Sequence, residues 1–324
     1  VQSRKQQKVV INDVPKPTAG PGQFLVKIQS ASLCHSDLMM QLRPDYPVTI
    51  GHEGVGRIET IDPAAEGKGF KVGDAIGFNY FIGCCFECEG CMVHNMWCET
   101  GKSKLQGFVV DGYFAEYAVV DWQNAVKLPE NLDISRTAPL FCAGITAFHS
   151  VDSCELKPGQ WFAVIGCGGL GQYAIQYAKA VRITPIVEST YCDLAANGHV
   201  KMGYKVIGLD INDSQLEMAK KVGADAVFNT MTNKDYGEEL KKLADGKGVH
   251  AAAVYSASNA AYASAPSILR IGGLIMVIGI APKPLDFVST FDLTTGKYRI
   301  KADSTSIPQR MKKAVDFTGK HKYV

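Results

Sequence analysis

No stretch of the chain is apolar for long enough to cross a membrane. The most apolar run, Gly272 to Pro282, falls far short of the ~20 residues that a spanning helix needs. The longer uncharged stretch from Ala251 to Leu269 carries Ser, Asn and Pro. An excess of one charge is missing too: 34 Lys and Arg stand against 32 Asp and Glu, for a net charge of +2. Without a basic stripe there is no electrostatic footprint for a nucleic-acid partner. No secretory signal opens the chain, no period repeats, and no tract is of low complexity. The expectation is a cytoplasmic protein with neither a membrane nor a nucleic-acid partner. Its 324 residues exceed what one hydrophobic core usually serves, so two domains are expected. The chain opens on Val1 and stops at Val324 just after a helical pattern, as a fragment would.

What the chain does have is cysteine. Ten are present, and their clustering between Cys85 and Cys98 reads as metal binding in a reducing compartment rather than as disulfides. Cys85, Cys88, Cys91 and Cys98 follow a C-x2-C-x2-C-x6-C pattern, and thiolates so spaced can converge on one tetrahedral zinc at about 2.3 Å. Such a closed site staples a lobe with little core of its own. Cys84 is adjacent and competes for the first position, whereas His94 reads as a surface loop residue. A second set is dispersed: Cys34 in Cys34-His35-Ser36-Asp37, His52 in Gly51-His52-Glu53-Gly54-Val55-Gly56, and Cys142 in Cys142-Ala143-Gly144. Two thiolates and one imidazole are the ligands of a catalytic zinc with an open fourth position. Only folding can bring these three together.

Residues 1–150 read as short strands separated by Gly and Pro turns: Val9 to Ile11, Phe24 to Ile28, Gly56 to Ile61 and Phe114 to Val120. From about Trp161 strand and helix alternate, which argues for a parallel sheet with helices on both faces. Gly166-Cys167-Gly168-Gly169-Leu170-Gly171 follows the predicted strand Trp161 to Ile165 and opens the predicted helix Leu170 to Ala180. That setting turns a weak G-x-G-x-x-G match into a dinucleotide-binding expectation. Gly166 serves the tight turn, Gly168 the approach of a pyrophosphate, and Gly171 close packing of helix on strand. Gly169 and Leu170 lie at the helix N-terminus, where phosphates bind. Asp210, at the end of the second predicted strand of this region, is the acid expected on the ribose. It favours NAD over NADP, because a carboxylate repels a 2′-phosphate.

These motifs, with Asp111-Gly112-Tyr113-Phe114-Ala115-Glu116-Tyr117 and Cys142-Ala143-Gly144-Ile145-Thr146, make the chain resemble the medium-chain zinc alcohol dehydrogenases, most closely the fungal type. The resemblance runs over nearly the whole chain. It implies an α/β plus β fold: a GroES-like catalytic domain and a Rossmann domain with a doubly wound parallel sheet, the catalytic zinc lying in the cleft between them. The expected boundaries are 1–149 for the catalytic domain with its zinc lobe at 84–98, 150–306 for the NAD-binding domain, and 307–324 for a truncated return to the first. It also implies two zinc ions per chain, one catalytic and one structural, and NAD-linked oxidation of a primary or secondary alcohol to an aldehyde or ketone. Cys34, His52 and Cys142 then ligate the catalytic zinc, Asp37 holds the second ring nitrogen of His52, and Glu53 lies behind the ligands. Ser36 matches the hydroxyl that accepts the substrate proton, His35 a cofactor-phosphate contact, and Tyr80 a substrate-pocket aromatic. Relatives are homo-oligomers, dimers or tetramers.

Four departures stand out. The x6 spacing before Cys98 is one residue shorter than usual, and Met39 stands where many relatives carry a proton-passing histidine. The C-terminal strand and helix that relatives add are absent after Val324. Between Ala180 and Met202 lie 21 extra residues, 181–201, which stretch the distance from Gly171 to Asp210 to 39 residues, against 18 without them. The family pattern rejoins across this segment without loss, so a translated intron is favoured over a genuine surface loop. Two other functions compete with the alcohol dehydrogenase. A zinc-free quinone reductase of the same superfamily does not need Cys34, His52 and Cys142, and a truncated or misassembled chain would bind zinc or NAD without turnover.

Overall fold

The computed structural model describes residues 2–3, 8–42, 48–180, 202–305 and 307–321. They belong to two compact units, Val1–Ile145 with Thr305–Val324, and Thr146–Ser304.

The first unit is built on five antiparallel strands: β1 (Gln23–Ser32), β2 (Glu53–Ile61), β3 (Ala75–Phe78), β4 (Tyr117–Asp121) and β5 (Ala125–Lys127), in the order β4-β1-β2-β3-β5. Side chains alternate across a strand, so Phe24 and Val26 of β1, Ile76 and Phe78 of β3, and Ala118 and Val120 of β4 share one core with Ile58 and Tyr113. On the other face Gly77 is a gap: a Cβ there would lie 1.8 Å from the buried ring of Phe141. The missing side chain leaves room for the tip of the Phe141 ring against β3, which anchors the short 3-10 turn Ala138–Phe141 directly before Cys142. Strand β4 starts later than the sequence suggests, at Tyr117 rather than Phe114. The backbone before it is engaged elsewhere: Gly112, Tyr113 and Phe114 donate N–H bonds to the carbonyls of Thr49, Gly51 and Ile50 at 2.7, 2.8 and 3.0 Å. The Asp111 carboxylate returns the contact by accepting from Thr49 N at 2.7 Å. A small lobe carries α1 (Glu89–Val93), and two-residue ladders pair 81–82 with 104–105 and 2–3 with 8–9. Helix α2 (Ala143–Asp152) crosses from the first unit into the second.

The second unit holds six parallel strands: β6 (Trp161–Ile165), β7 (Lys205–Asp210), β8 (Ala226–Asn229), β9 (Val249–Val254), β10 (Leu269–Val277) and β11 (Tyr298–Ala302), in the order β8-β7-β6-β9-β10-β11. Order reverses at β6, the topological switch point where doubly wound sheets bind ligands. All five residues of β6 are buried, as a central strand covered on both faces requires. Trp161, Ala163 and Ile165 face a core completed by Leu240 of α5 (Tyr236–Leu243) and Tyr262, Ala265 and Ile268 of α6 (Asn259–Ile268). On the opposite face, α3 (Gly169–Lys179) comes so close that a Cβ on Gly171 would lie 3.2 Å from Val164 and 2.1 Å from the Gly166 carbonyl. Helix α4 (Asp213–Lys221) packs beside it, and a Cβ on Gly208 would meet Ala219 of α4 at 3.3 Å. Helix α7 (Thr290–Thr294) lies against β11, and α8 (Pro308–His321) returns to the first unit, where Asn131 Nδ2 donates to the Gly319 carbonyl at 2.6 Å.

Residues 181–201, read from the sequence as a translated intron rather than a genuine surface loop, lie outside the described residues. The chain on either side of them is informative. The Ala178 carbonyl accepts from Gly203 N at 2.9 Å and from Tyr204 N at 2.8 Å, and Gly203 has φ of 98°. Counted without 181–201, these are the five-to-one and six-to-one bonds that close a helix on a left-handed glycine. The C-terminal cap of α3 is thus completed by residues from beyond the segment. We expect a chain in which Ala180 is joined to Met202 to fold more stably, by up to about 2–3 kcal/mol of loop-closure entropy. Thermal unfolding of the two chains checks this, and a lower Tm for the shortened one would show that 181–201 contributes to the fold.

Candidate functional site

Two sets of side chains in the first unit converge as a metal would require. Cys85, Cys88, Cys91 and Cys98 have sulfurs within 4.8 Å of one another. Cys85 Sγ lies 3.9 Å from Cys91 Sγ and 3.7 Å from Cys98 Sγ. Four thiolates around zinc at bond lengths of 2.3 Å stand about 3.8 Å apart, so the arrangement fits a closed tetrahedral site. The short x6 spacing is therefore no obstacle. Backbone N–H groups already point at the sulfurs. Cys88 Sγ accepts from Cys91 N and Glu99 N, both at 3.4 Å, and these bonds, Glu99's first, hold its pKa below the ordinary thiol value. Cys84 takes no part, since its sulfur is engaged elsewhere, by the Asn95 carbonyl and by Ser103 Oγ. His94 caps the 3-10 turn 95–97, its Nδ1 accepting from Met96 N at 3.2 Å. None of the nine described cysteines forms a disulfide.

Cys34, His52, Glu53 and Cys142 form the second set, their ligand atoms also within 4.8 Å of one another. Cys34 lies just after β1, His52 and Glu53 where β2 begins, and Cys142 just after Phe141. Asp37 ties two of them together. Its Oδ1 bonds His52 Nδ1 at 2.7 Å, and its Oδ2 accepts from Cys34 N at 2.8 Å. Asp37 and His52 side chains are each 1% exposed. With Nδ1 committed as a donor to a carboxylate, Nε2 is the nitrogen left for a metal. Glu53 accepts from Ser32 Oγ and, at 3.3 Å, from Ala143 N.

Burial and mutual hydrogen bonds shift the ionisable groups of this cluster. A hydrogen bond from the Cys142 thiol brings Cys34 down to about 4, and the same bond raises Cys142 well above the ordinary thiol value. Burial opposes charge on His52, but bonds to Asp37 and Cys34 outweigh it and lift the imidazole to about 9. Burial, helped by the charge of Cys34, raises Glu53 to about 8. Two thiols, an imidazole and a carboxyl in one sphere are a donor set that suits zinc.

Aromatic rings wall the cluster. Tyr80 meets the His52 ring edge-on at 5.2 Å and Phe108 lies 4.9 Å from it. Phe108 and Ser32 escape sequence reasoning, because neither stands in a spaced motif. Of the other expected residues, His35 is exposed and Ser36 half-buried on the 3-10 segment His35–Leu42, and the Met39 side chain lies outside the described residues.

In the second unit the glycine turn joins β6 to α3. Gly166 has φ of 94°, a left-handed conformation that favours glycine. Gly168 caps α3, and the Cβ positions of Gly168 and Gly169 face open space. The N–H groups of Gly169, Leu170 and Gly171 open the helix, where donors lack intrahelical acceptors and the dipole is positive. Asp210, at the end of β7, reaches the turn: its Oδ2 accepts from Cys167 N at 2.7 Å, while Oδ1 accepts from Ile211 N and Asn212 N.

The chain is similar to known proteins. The alcohol dehydrogenase GroES-like domain family matches residues 20–130, and the zinc-binding dehydrogenase family matches 194–320. An alcohol dehydrogenase of Geobacillus stearothermophilus is 33% identical over 318 residues, 96% of this chain and 86% of its own. A second from the same organism is 32% identical over 324 residues, 96% of this chain and 85% of its own. The crystal structure of the alcohol dehydrogenase from the archaeon Aeropyrum pernix superposes with a TM-score of 0.79 at 28% identity, covering 97% of this chain and 87% of that one.

Two outcomes test the metal sites. Cys142→Ser should remove about one zinc per chain and reduce dehydrogenase turnover by orders of magnitude while NAD still binds. Metal analysis and a binding titration check this, and full zinc content with full activity would remove Cys142 from the ligand set. Cys88→Ser should instead cost folding stability, since a closed thiolate site contributes folding free energy. Thermal unfolding with and without chelator measures it, and an unchanged Tm would contradict a structural zinc.

Proposed function

Because the chain belongs to the medium-chain zinc-dependent alcohol dehydrogenase family, we propose that it reversibly oxidises a primary or secondary alcohol to the aldehyde or ketone with NAD as hydride acceptor. At the coarser level it is a zinc-dependent NAD(P) dehydrogenase. The observation that carries the finer reading is the convergence of Cys34, His52 and Cys142, with Asp37 already occupying His52 Nδ1. In this reading these three residues hold one zinc, and Cys85, Cys88, Cys91 and Cys98 hold a second that is structural. Bound zinc supplies Lewis acidity at the substrate oxygen, and the nicotinamide supplies the hydride acceptor.

The chain's own residues do the rest. Asp37 keeps the hydrogen of His52 on Nδ1, and the buried carboxyl of Glu53 lies beside the ligand atoms. Ser36 takes the substrate's proton, Tyr80 and Phe108 line the apolar wall, and His35 reaches a cofactor phosphate. The turn Gly166, Gly168, Gly169, Leu170 and Gly171 presents N–H donors to the pyrophosphate, and Asp210 accepts from the adenosine ribose. The cytoplasmic setting and the homo-oligomeric state expected from the family resemblance belong to the same proposal.

A rate survey of the zinc-loaded chain with NAD over primary and secondary alcohols tests the function, and absence of turnover with every alcohol would overturn it. Asp210→Ala separates the cofactor roles. Losing a charged acceptor should weaken NAD roughly tenfold or more. Asp210 also holds the turn through Cys167 N, so weaker NAD binding alone does not isolate the ribose contact. The ratio of NAD to NADP affinity does, and it should fall toward one. An unchanged ratio would mean that another residue reads the ribose.

A further inference from the structure

The sheet of the second unit has a second ligand-sized feature at the end away from the glycine turn. A cavity of about 310 Å³ opens where β6, β9, β10 and β11 begin, and it is lined by Lys157, His250, Arg270, Arg299 and Lys301 with Glu155 as a lone carboxylate. That volume lies at the low end for small-molecule pockets. None of its residues belongs to the zinc sets or to the turn.

The cations are under-used. Lys301 Nζ bonds Glu155 Oε1 at 2.8 Å and the Ser153 carbonyl at 3.0 Å. Arg299 spends its Nε on the Gly272 carbonyl at 3.3 Å. Arg270 Nη1 meets only His250 Nε2. Among the described residues, Lys157 Nζ has no partner at all.

The meeting of Arg270 and His250 is the informative contact. His250 Nδ1 receives the Trp161 N–H at 3.1 Å, so in that tautomer the ring hydrogen is on Nε2, facing a guanidinium that can only donate. Moving the hydrogen to Nδ1 sets it against the Trp161 N–H instead. Either tautomer leaves a donor facing a donor. Protonation would put a donor on both nitrogens at once, and burial and then the Arg270 charge hold the His250 pKa below its ordinary value, so the ring stays neutral. An oxygen that accepts from both Arg270 and His250 resolves it.

We propose that this cavity is an anion site for a phosphate group, either free phosphate or the phosphomonoester of a small metabolite, bound by Arg270, Arg299, Lys157 and the His250 Nε2–H. A phosphate suits the fork of an arginine, and a dianion suits the charge: four formal cations stand against one carboxylate that Lys301 already engages. The site is independent of the alcohol dehydrogenase reading.

Calorimetric titration of the full chain with inorganic phosphate and, separately, with glycerol 3-phosphate tests it. The wild-type chain should show one saturable site that Arg270→Gln with Arg299→Gln abolishes and that Lys157→Gln alone weakens roughly tenfold. Lys157 is exposed, so its variant keeps the test valid if the double variant fails to fold. Equal affinity for both ligands assigns the site to the phosphate group alone, and tighter glycerol 3-phosphate assigns it to a metabolite ester. No saturable uptake, or uptake the same in the Lys157→Gln chain as in wild type, would overturn the site. Alcohol turnover serves as a control and should be unchanged in both variants.

Discussion

One buried carboxylate, that of Asp37, organises the cluster in the first unit. It binds His52 through one oxygen and the backbone of Cys34 through the other, so a single group fixes two candidate ligands relative to each other. Burying that charge is tolerable only because both oxygens are bonded. The strands supply the rest of the convergence. Cys34 follows β1, His52 leads into β2, and the Phe141 ring seated over Gly77 of β3 brings in Cys142. Each ligand comes from a different stretch of chain. The cluster therefore reports the whole antiparallel unit, not a local loop.

Much of this was legible beforehand, for a chemical reason. Thiolate and imidazole are characteristic zinc donors on uncommon residues, so Cys34, His52, Cys142 and the four lobe cysteines stand out by residue type. The glycine turn stands out because Gly171 has no room for a Cβ against Gly166. Contacts between distant apolar residues leave no such trace. Phe108 beside His52 and Phe141 on Gly77 are ordinary aromatics in the sequence, identified only by what the sheet brings to them. The late start of β4 was hidden for a related reason. The pattern of residues 114–120 suits a strand, but the backbone bonds of 112–114 go to 49–51. The cationic cavity was the least visible, since Lys157, His250, Arg270 and Arg299 are far apart in sequence and meet only because parallel strands all start at one end of the sheet.

The two nucleotide elements are also mechanically joined. The bond from Cys167 N to Asp210 ties the turn after β6 to the end of β7, so the acid expected at the ribose also sets the position of the loop expected at the pyrophosphate. Exchange of this acid for a neutral residue alters both at once. Changes of cofactor preference at such a position come with a change in loop geometry, which ties specificity to affinity.

The double acceptor at Ala178 has a consequence for how such a chain can change. The strand ladders fix their register residue by residue, and one added residue inside β7 would swap the faces of the residues beyond it. The cap of α3 has no such ladder. Its two hydrogen bonds are satisfied by Gly203 and Tyr204 although 181–201 intervene. The junction after Ala180 is therefore a port in the architecture, where foreign sequence can enter while the sheet beyond it stays in step.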